Sequence, residues 1–154
     1  MHGCFSVLEQ MLSEARFDAI TDRLFAVGDL IDKGPKSERC DEFLGYPWLH
    51  SIRGNHEQMI IERHKYDERT AKENGGMWFL RLDEGKRQYY RQLFLKLPLA
   101  IEVENSIGLV GLIHADVPLY DWAQLSNKFD HPYWVETMPT HRQKSHPPSR
   151  AGRP

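Results

Sequence analysis

The chain has 154 residues, 40% of them hydrophobic and 27% charged, with a formal net charge of −2. That length suits one domain able to bury roughly two-thirds of its unfolded surface. The mixed, nearly balanced charge gives no electrostatic reason for nucleic acid or a membrane surface as partner, and no apolar run approaches the roughly 20 residues of a membrane span.

Apolar residues at 5, 7, 8, 11 and 12 predict a helix over Phe5 to Ala15. Leu24-Phe25-Ala26-Val27 reads as a short buried strand running into Gly28-Asp29. Ser37 to Leu44 reads as a helix with Ser37 as its N-cap, just after Pro35. Trp48 to Ile52 is a second strand, ending in Arg53-Gly54-Asn55, and a helix from about Glu57 to His64 follows. Gly85 to Leu97 is amphipathic, Leu99 to Val103 is a strand beyond Pro98, and Ile107 to Ile113 is another that ends at His114-Ala115-Asp116. Residues 1–136 form the expected domain. After Glu136 there is no acidic residue, and Thr137 to Pro154 holds four prolines and six His, Lys or Arg. This basic, Pro-rich tail reads as disordered, and its abrupt composition as sequence unrelated to the domain.

Three apolar strands thus each end in a polar cluster: Gly28-Asp29, Arg53-Gly54-Asn55-His56 and His114-Ala115-Asp116. Strands alternating with helices predict a largely parallel sheet, and such sheets carry their sites at the carboxyl ends of the strands. The fold class is therefore α/β, with carboxylate, amide and imidazole groups converging on one edge. Taken singly, Gly28-Asp29 is an ordinary turn, Asn55-His56 a turn with a helix cap, and His114 a satisfied histidine at a strand end. Asp32 and Glu57, singly, are solvated loop charges. Their conjunction points to a metal site. Two divalent ions roughly 3.5–4 Å apart clamp the oxygens of a phosphate ester and activate water, and imidazole with carboxylate suits manganese, iron or zinc.

His2-Gly3, Gly28-Asp29-Leu30-Ile31-Asp32-Lys33-Gly34, Gly54-Asn55-His56-Glu57 and His114-Ala115-Asp116 stand in one order. They resemble the D-x-H-G, G-D-x-x-D-R-G, G-N-H-E and H-A-D blocks of the bacterial and lambda-phage-type serine/threonine protein phosphatases, within the calcineurin-like metallophosphoesterases. Asn74-Gly75-Gly76-Met77-Trp78-Phe79 resembles the N-G-G-x-W-F segment of the bacterial branch. The resemblance covers roughly residues 2–125 and implies a β-sandwich flanked by helices. It implies that Asp29 bridges two divalent ions, that His2 binds the first, and that Asn55 and His114 bind the second. It makes His56 the general acid, oriented by Asp32, and Arg53 and Lys33 the cationic contacts to phosphate. Lys33 stands where the family has arginine, so it supplies charge without the bidentate fork. Trp78-Phe79 fits helix packing as well as substrate contact.

The implied reaction is hydrolysis of phosphoserine or phosphothreonine in a phosphoprotein or phosphopeptide, with Mn2+, iron or zinc. The implied setting is cytoplasmic. Cys4 and Cys40 make no disulfide framework, as in a reducing compartment, and Met1-His2-Gly3-Cys4 lacks a secretory pattern. The family's first block opens with an aspartate two residues before its histidine, and its late histidine stands in a G-H context; neither has a counterpart here. The expectation is a domain truncated at both ends, with an incomplete first metal site, a poorly held His2 and low turnover. A dinucleoside polyphosphate hydrolase of the same fold and a non-catalytic remnant are the alternatives.

Overall fold

The computed structural model describes residues 1–62, 66–106, 108–115 and Trp122. The first helix follows its apolar period. α1 (Phe5–Glu14) buries Phe5 and half-buries Leu8 and Leu12, while Val7 and Met11 on the opposite side stay exposed. β1 (Leu24–Ala26) and β2 (Leu49–Ser51) pair in parallel, from Leu24↔Leu49 to Ala26↔Ser51. Their crossover holds the loop 27–36, a 3-10 turn (Ser37–Arg39) and α2 (Cys40–Leu44). Ser37 is not an N-cap. It opens the 3-10 turn, and its hydroxyl accepts a hydrogen bond from the Asp32 amide at 2.8 Å.

α3 (Asn55–Ile61) begins two residues before its expected start. Glu57, in the third helical position, turns back to accept the Gly54 N–H at 2.8 Å, which is half of a capping box. α4 (Glu68–Asn74) and α5 (Met77–Leu80) lie where no element was expected. Asp67 caps α4 through the Thr70 amide, and Asp83 caps α6 (Glu84–Leu95) through the Lys86 amide. β3 (Ala100–Asn105) and β4 (Gly108–Ile113) form a hairpin, registered from Ala100↔Ile113 to Asn105↔Gly108.

The architecture is α/β, with helices around two two-stranded sheets among the described residues. Of the largely parallel sheet expected, only the β1–β2 pair is parallel among the described residues: β4 runs antiparallel to β3. The link between Asn105 and Gly108 is far shorter than the dozen or more residues a parallel crossover needs. The core lies between the helices and the β1–β2 pair. Phe5 stacks on Phe43 with ring centroids 4.6 Å apart, and Phe79, Tyr90 and Phe94 extend the cluster. Burying each phenylalanine contributes roughly 1.5–3 kcal/mol. The hairpin is less covered, with Leu109 and Val110 exposed. No helix among the described residues is long and apolar enough to cross a membrane. Residues 137–154, the sequence-predicted tail, lie outside the described residues.

Candidate active site

Three chain segments meet where β1, β2 and β4 end. A Cβ on Gly54 would stand 2.4 Å from both the amide and a carboxylate oxygen of Asp29, so only glycine lets these two loops touch. The backbone around them is strained. His2, Asp29, Asp32 and Lys33 all take left-handed φ, between 52° and 68°. Each such residue costs on the order of 1–3 kcal/mol and persists only where its surroundings enforce it. At Asp29 the enforcing group is Glu57. Its fully buried carboxylate accepts the N–H groups of Asp29 (2.9 Å), Leu30 (2.8 Å) and Gly54 (2.8 Å). Burial and then the charge of Asp29 push the Glu57 carboxyl above its ordinary value, and the three N–H bonds oppose that rise.

Around Asp29 the side chains are arranged by their outer nitrogens. The Nδ1 of His2 faces the Ile31 carbonyl at 3.0 Å, and the Nδ1 of His114 faces the Val27 carbonyl at 2.6 Å. A carbonyl only accepts, so each Nδ1 carries the proton and each Nε2 of the neutral ring presents a lone pair. Those lone pairs converge on one carboxylate from two sides. His2 Nε2 lies 3.6 Å from Asp29 Oδ2; His114 Nε2 lies 3.4 Å from Asp29 Oδ1 and 3.0 Å from Asn55 Oδ1. Burial lowers the pKa of His2 and outweighs the Ile31 carbonyl and the Asp29 charge, which raise it; His56 and Lys33 lower it further. The neutral form of His2 is therefore favoured more than that of a free imidazole. Nitrogen and oxygen lone pairs facing one another repel unless a cation lies among them. The donor set fits divalent metal on both sides of Asp29, with a backbone carbonyl fixing each ligand imidazole as metal sites require.

His56 stands beside this cluster and is almost fully buried. Its Nδ1 donates to Asp32 Oδ2 at 2.8 Å, and its Nε2 faces Asp29 Oδ2 at 3.9 Å. One ligand atom each from His2, Asp29 and His56 lie within 4.8 Å of one another. A carboxylate-held imidazole serves equally as a metal ligand or as a proton donor.

The profile of the calcineurin-like phosphoesterase family matches residues 1–149. The chain belongs to this family. It is 41% identical over 128 residues to serine/threonine-protein phosphatase 1 of Salmonella typhimurium, covering 79% of this chain and 59% of that protein. It is 36% identical over 122 residues to serine/threonine-protein phosphatase 2 of Escherichia coli, covering 77% and 56%. A symmetrical bis(5'-nucleosyl)-tetraphosphatase of Actinobacillus succinogenes is 42% identical over 64 residues, covering 40% and 23%. The chain thus spans a little under six-tenths of the length of the first two relatives.

Calcineurin-like phosphoesterases use a dinuclear metal site, and the structure gathers six of the eight sequence-predicted residues at one place. His2, Asp29, Asn55, His56 and His114 surround the cluster, and Asp32 stands behind His56. His2 is firmly held, contrary to the sequence expectation: its amide donates to Asp29 O at 2.8 Å, and that of Gly3 donates to Leu30 O at 2.7 Å. Lys33 is exposed at the rim, near enough for its charge to bear on His2. Arg53 departs from the expected phosphate clamp. Its guanidinium donates to Gln58 Oε1 and to the carbonyls of Leu95 and Leu97, so it ties the start of α3 to the end of α6. Burial lowers its pKa, opposed by the charge of Glu57. Glu57 is not a solvated charge, as shown above. Sequence reasoning also missed Tyr66, whose hydroxyl reaches Asp32 at 3.0 Å.

Proposed function

We propose that this chain hydrolyses phosphomonoesters of serine or threonine in phosphoproteins or phosphopeptides. The observation that carries the proposal is the convergence of His2 Nε2 and His114 Nε2 on the two oxygens of Asp29, with the Asp32-backed His56 beside them. His2 and Asp29 would hold one divalent ion; Asp29, Asn55 and His114 would hold the other. When bound, such a pair supplies Lewis acidity that activates water and offsets phosphoryl charge. Manganese is the proposed metal, and the cytoplasm the proposed compartment.

The side chains do the rest. Lys33 attracts the phosphoryl oxygens as a point charge. Asp32 holds the Nδ1–H of His56, which leaves Nε2 to carry the proton that is transferred. As the water oxygen bonds to phosphorus and the P–O bond to the seryl or threonyl oxygen breaks, that proton passes from Nε2 to the departing oxygen, giving the alcohol and inorganic phosphate. The phosphatase relatives match over 122 and 128 residues and the tetraphosphatase over 64, which favours a phosphoprotein over a dinucleotide.

The test is turnover with Mn2+ on a phosphoseryl peptide and on diadenosine tetraphosphate. The peptide is the expected substrate. His56→Asn is expected to lower its turnover by about 100-fold or more, while Mn2+ binding measured by calorimetry persists. Loss of binding in that variant would make His56 a ligand rather than the acid. Preference for the dinucleotide would establish the second reading, and a folded, metal-binding chain with no turnover would establish a non-catalytic one.

A further inference from the structure

The segment Asn74-Gly75-Gly76-Met77-Trp78-Phe79 is a sequence feature that the proposed reaction leaves unused. Phe79 lies in the core, but Trp78 does something else: its indole Nε1–H donates to Asp32 Oδ1 at 2.8 Å. On the other oxygen, Asp32 Oδ2 receives both the His56 Nδ1–H at 2.8 Å and the Tyr66 hydroxyl at 3.0 Å. Asp32 is fully buried, and its amide is held by Ser37. Three side-chain donors, from α3, from the stretch before α4 and from α5, therefore converge on one carboxylate.

The two glycines make this convergence sterically possible. A Cβ on Gly76 would fall 1.4 Å from the Tyr66 hydroxyl oxygen and 3.1 Å from Asp32 Oδ1. Any side chain there would push Tyr66 off Asp32. Gly75, at φ 77°, brings the segment against the Lys33 backbone, where a Cβ would meet the amide nitrogen at 2.5 Å. The segment is thus pressed onto the loop that carries Asp32.

We infer that Trp78 and Tyr66 are positioning residues, which act through Asp32 to hold the His56 imidazole in line for proton transfer; this rests on His56 being the proton donor. The physical reason lies in the last torsion of an aspartate, which is broad and roughly two-fold. A carboxylate held at Oδ2 alone can swing about that bond and carry the imidazole with it. Held at Oδ1 by Trp78 and at Oδ2 by Tyr66, its plane is fixed. Proton transfer demands heavy-atom placement within hydrogen-bond reach, so loosening that plane weakens the transfer specifically. The Tyr66 phenol, pushed well above its usual range by burial and by Asp32, stays protonated and remains a donor.

The test compares Tyr66→Phe and Trp78→Phe with the unaltered 154-residue chain on two substrates. A phosphoseryl peptide has an alkoxide leaving group that needs a proton, whereas p-nitrophenyl phosphate releases a phenolate that does not. Each variant is expected to lower kcat on the peptide by about 10-fold, or about 1.4 kcal/mol of barrier, with KM unchanged. On the aryl substrate the change should stay under about two-fold. Equal losses on both substrates, or none, would overturn the inference. A second readout needs no turnover. In the metal-free chain the His56 Nδ1–H, bonded to a buried carboxylate, should give a far-downfield proton resonance that His56→Asn removes. Both variants should move or broaden it, and an unmoved resonance would overturn the inference. Were the unaltered chain inactive on both substrates, the phosphatase reading would fall while this resonance still decided the positioning. Tyr66→Phe removes one oxygen and keeps the ring, so it carries the test should Trp78→Phe fail to fold.

Discussion

Glu57 contacts none of the proposed ligand atoms through its own carboxylate, yet it shapes the site. The left-handed turn at Asp29 points the amides of Asp29 and Leu30 inward, and the start of α3 points that of Gly54 the same way. One buried carboxylate answers all three. Glutamine in its place keeps the shape but offers one acceptor oxygen and sets an N–H donor against an N–H donor. With charge-assisted bonds worth about 1.5–3 kcal/mol each, Glu57→Gln is expected to cost about 3 kcal/mol. At roughly 2–4 °C per kcal/mol for this size, the Tm should fall by about 6–12 °C. An unchanged Tm in a thermal melt would refute this account of the turn. The sequence made Asp29, Asn55 and His114 legible because each lies just past a short apolar run, and His2 through the resemblance of its His2-Gly3 block. It hid Glu57 because nothing in a local window distinguishes a helix-start glutamate from a buried one. Tyr66 and Trp78 were hidden for another reason: they lie 34 and 46 residues from Asp32, beyond any local periodicity.

Among the elements, α3 and α6 are joined by Arg53, whose guanidinium reaches the carbonyls of Leu95 and Leu97, while its own amide donates to Pro98 O at 2.8 Å. The two roles open to this arginine separate cleanly. Arg53→Met keeps an apolar stem but leaves two carbonyls and Gln58 Oε1 without their donor, so stability is expected to fall by about 2–4 kcal/mol. KM for a phosphopeptide should change by less than about two-fold. A tenfold rise in KM at constant Tm would instead restore the phosphate-clamping role implied by the resemblance. The same scale shows where pattern reading works. Strand ends and α1 were readable because apolar runs and a 3.6-residue period mark them. α4 was not, since only Ala71 of its seven residues is buried and no apolar stripe forms. The direction of β4 was not readable either, because the short turn after Asn105, not the composition of the strand, decides its partner.

In the molecule as a whole, the β3–β4 hairpin reaches the rest of the described residues at the candidate site through His114. Polar contacts tether it there: the His114 Nδ1–H donates to Val27 O, and just before β3 the Arg53 amide donates to Pro98 O. The hairpin itself is mostly exposed, so this attachment has little apolar burial behind it. A divalent ion shared by Asp29, Asn55 and His114 would link the end of β1, the start of α3 and the end of β4. Binding only to the folded state stabilises by about 2.7 kcal/mol at a hundredfold excess over Kd, so Mn2+ should raise the Tm by roughly 5–11 °C. Amide exchange should slow most in β4. The effect depends on pH with a definite sign. Imidazole must be neutral to bind metal, and the folded-state pKa of His2 lies below the ordinary value of about 6.5. A group with a depressed folded pKa contributes stability that is present above its unfolded pKa and lost as pH falls through the folded one. The part of the Mn2+ shift that comes from the ion held by His2 and Asp29 should therefore be full at pH 7.5 and fade as pH falls below the ordinary histidine value of about 6.5, as His2 protonates. Asp29→Asn, which removes the shared charge, should abolish it at every pH. An equal shift in Asp29→Asn would place the metal elsewhere and remove the link between the hairpin and the site.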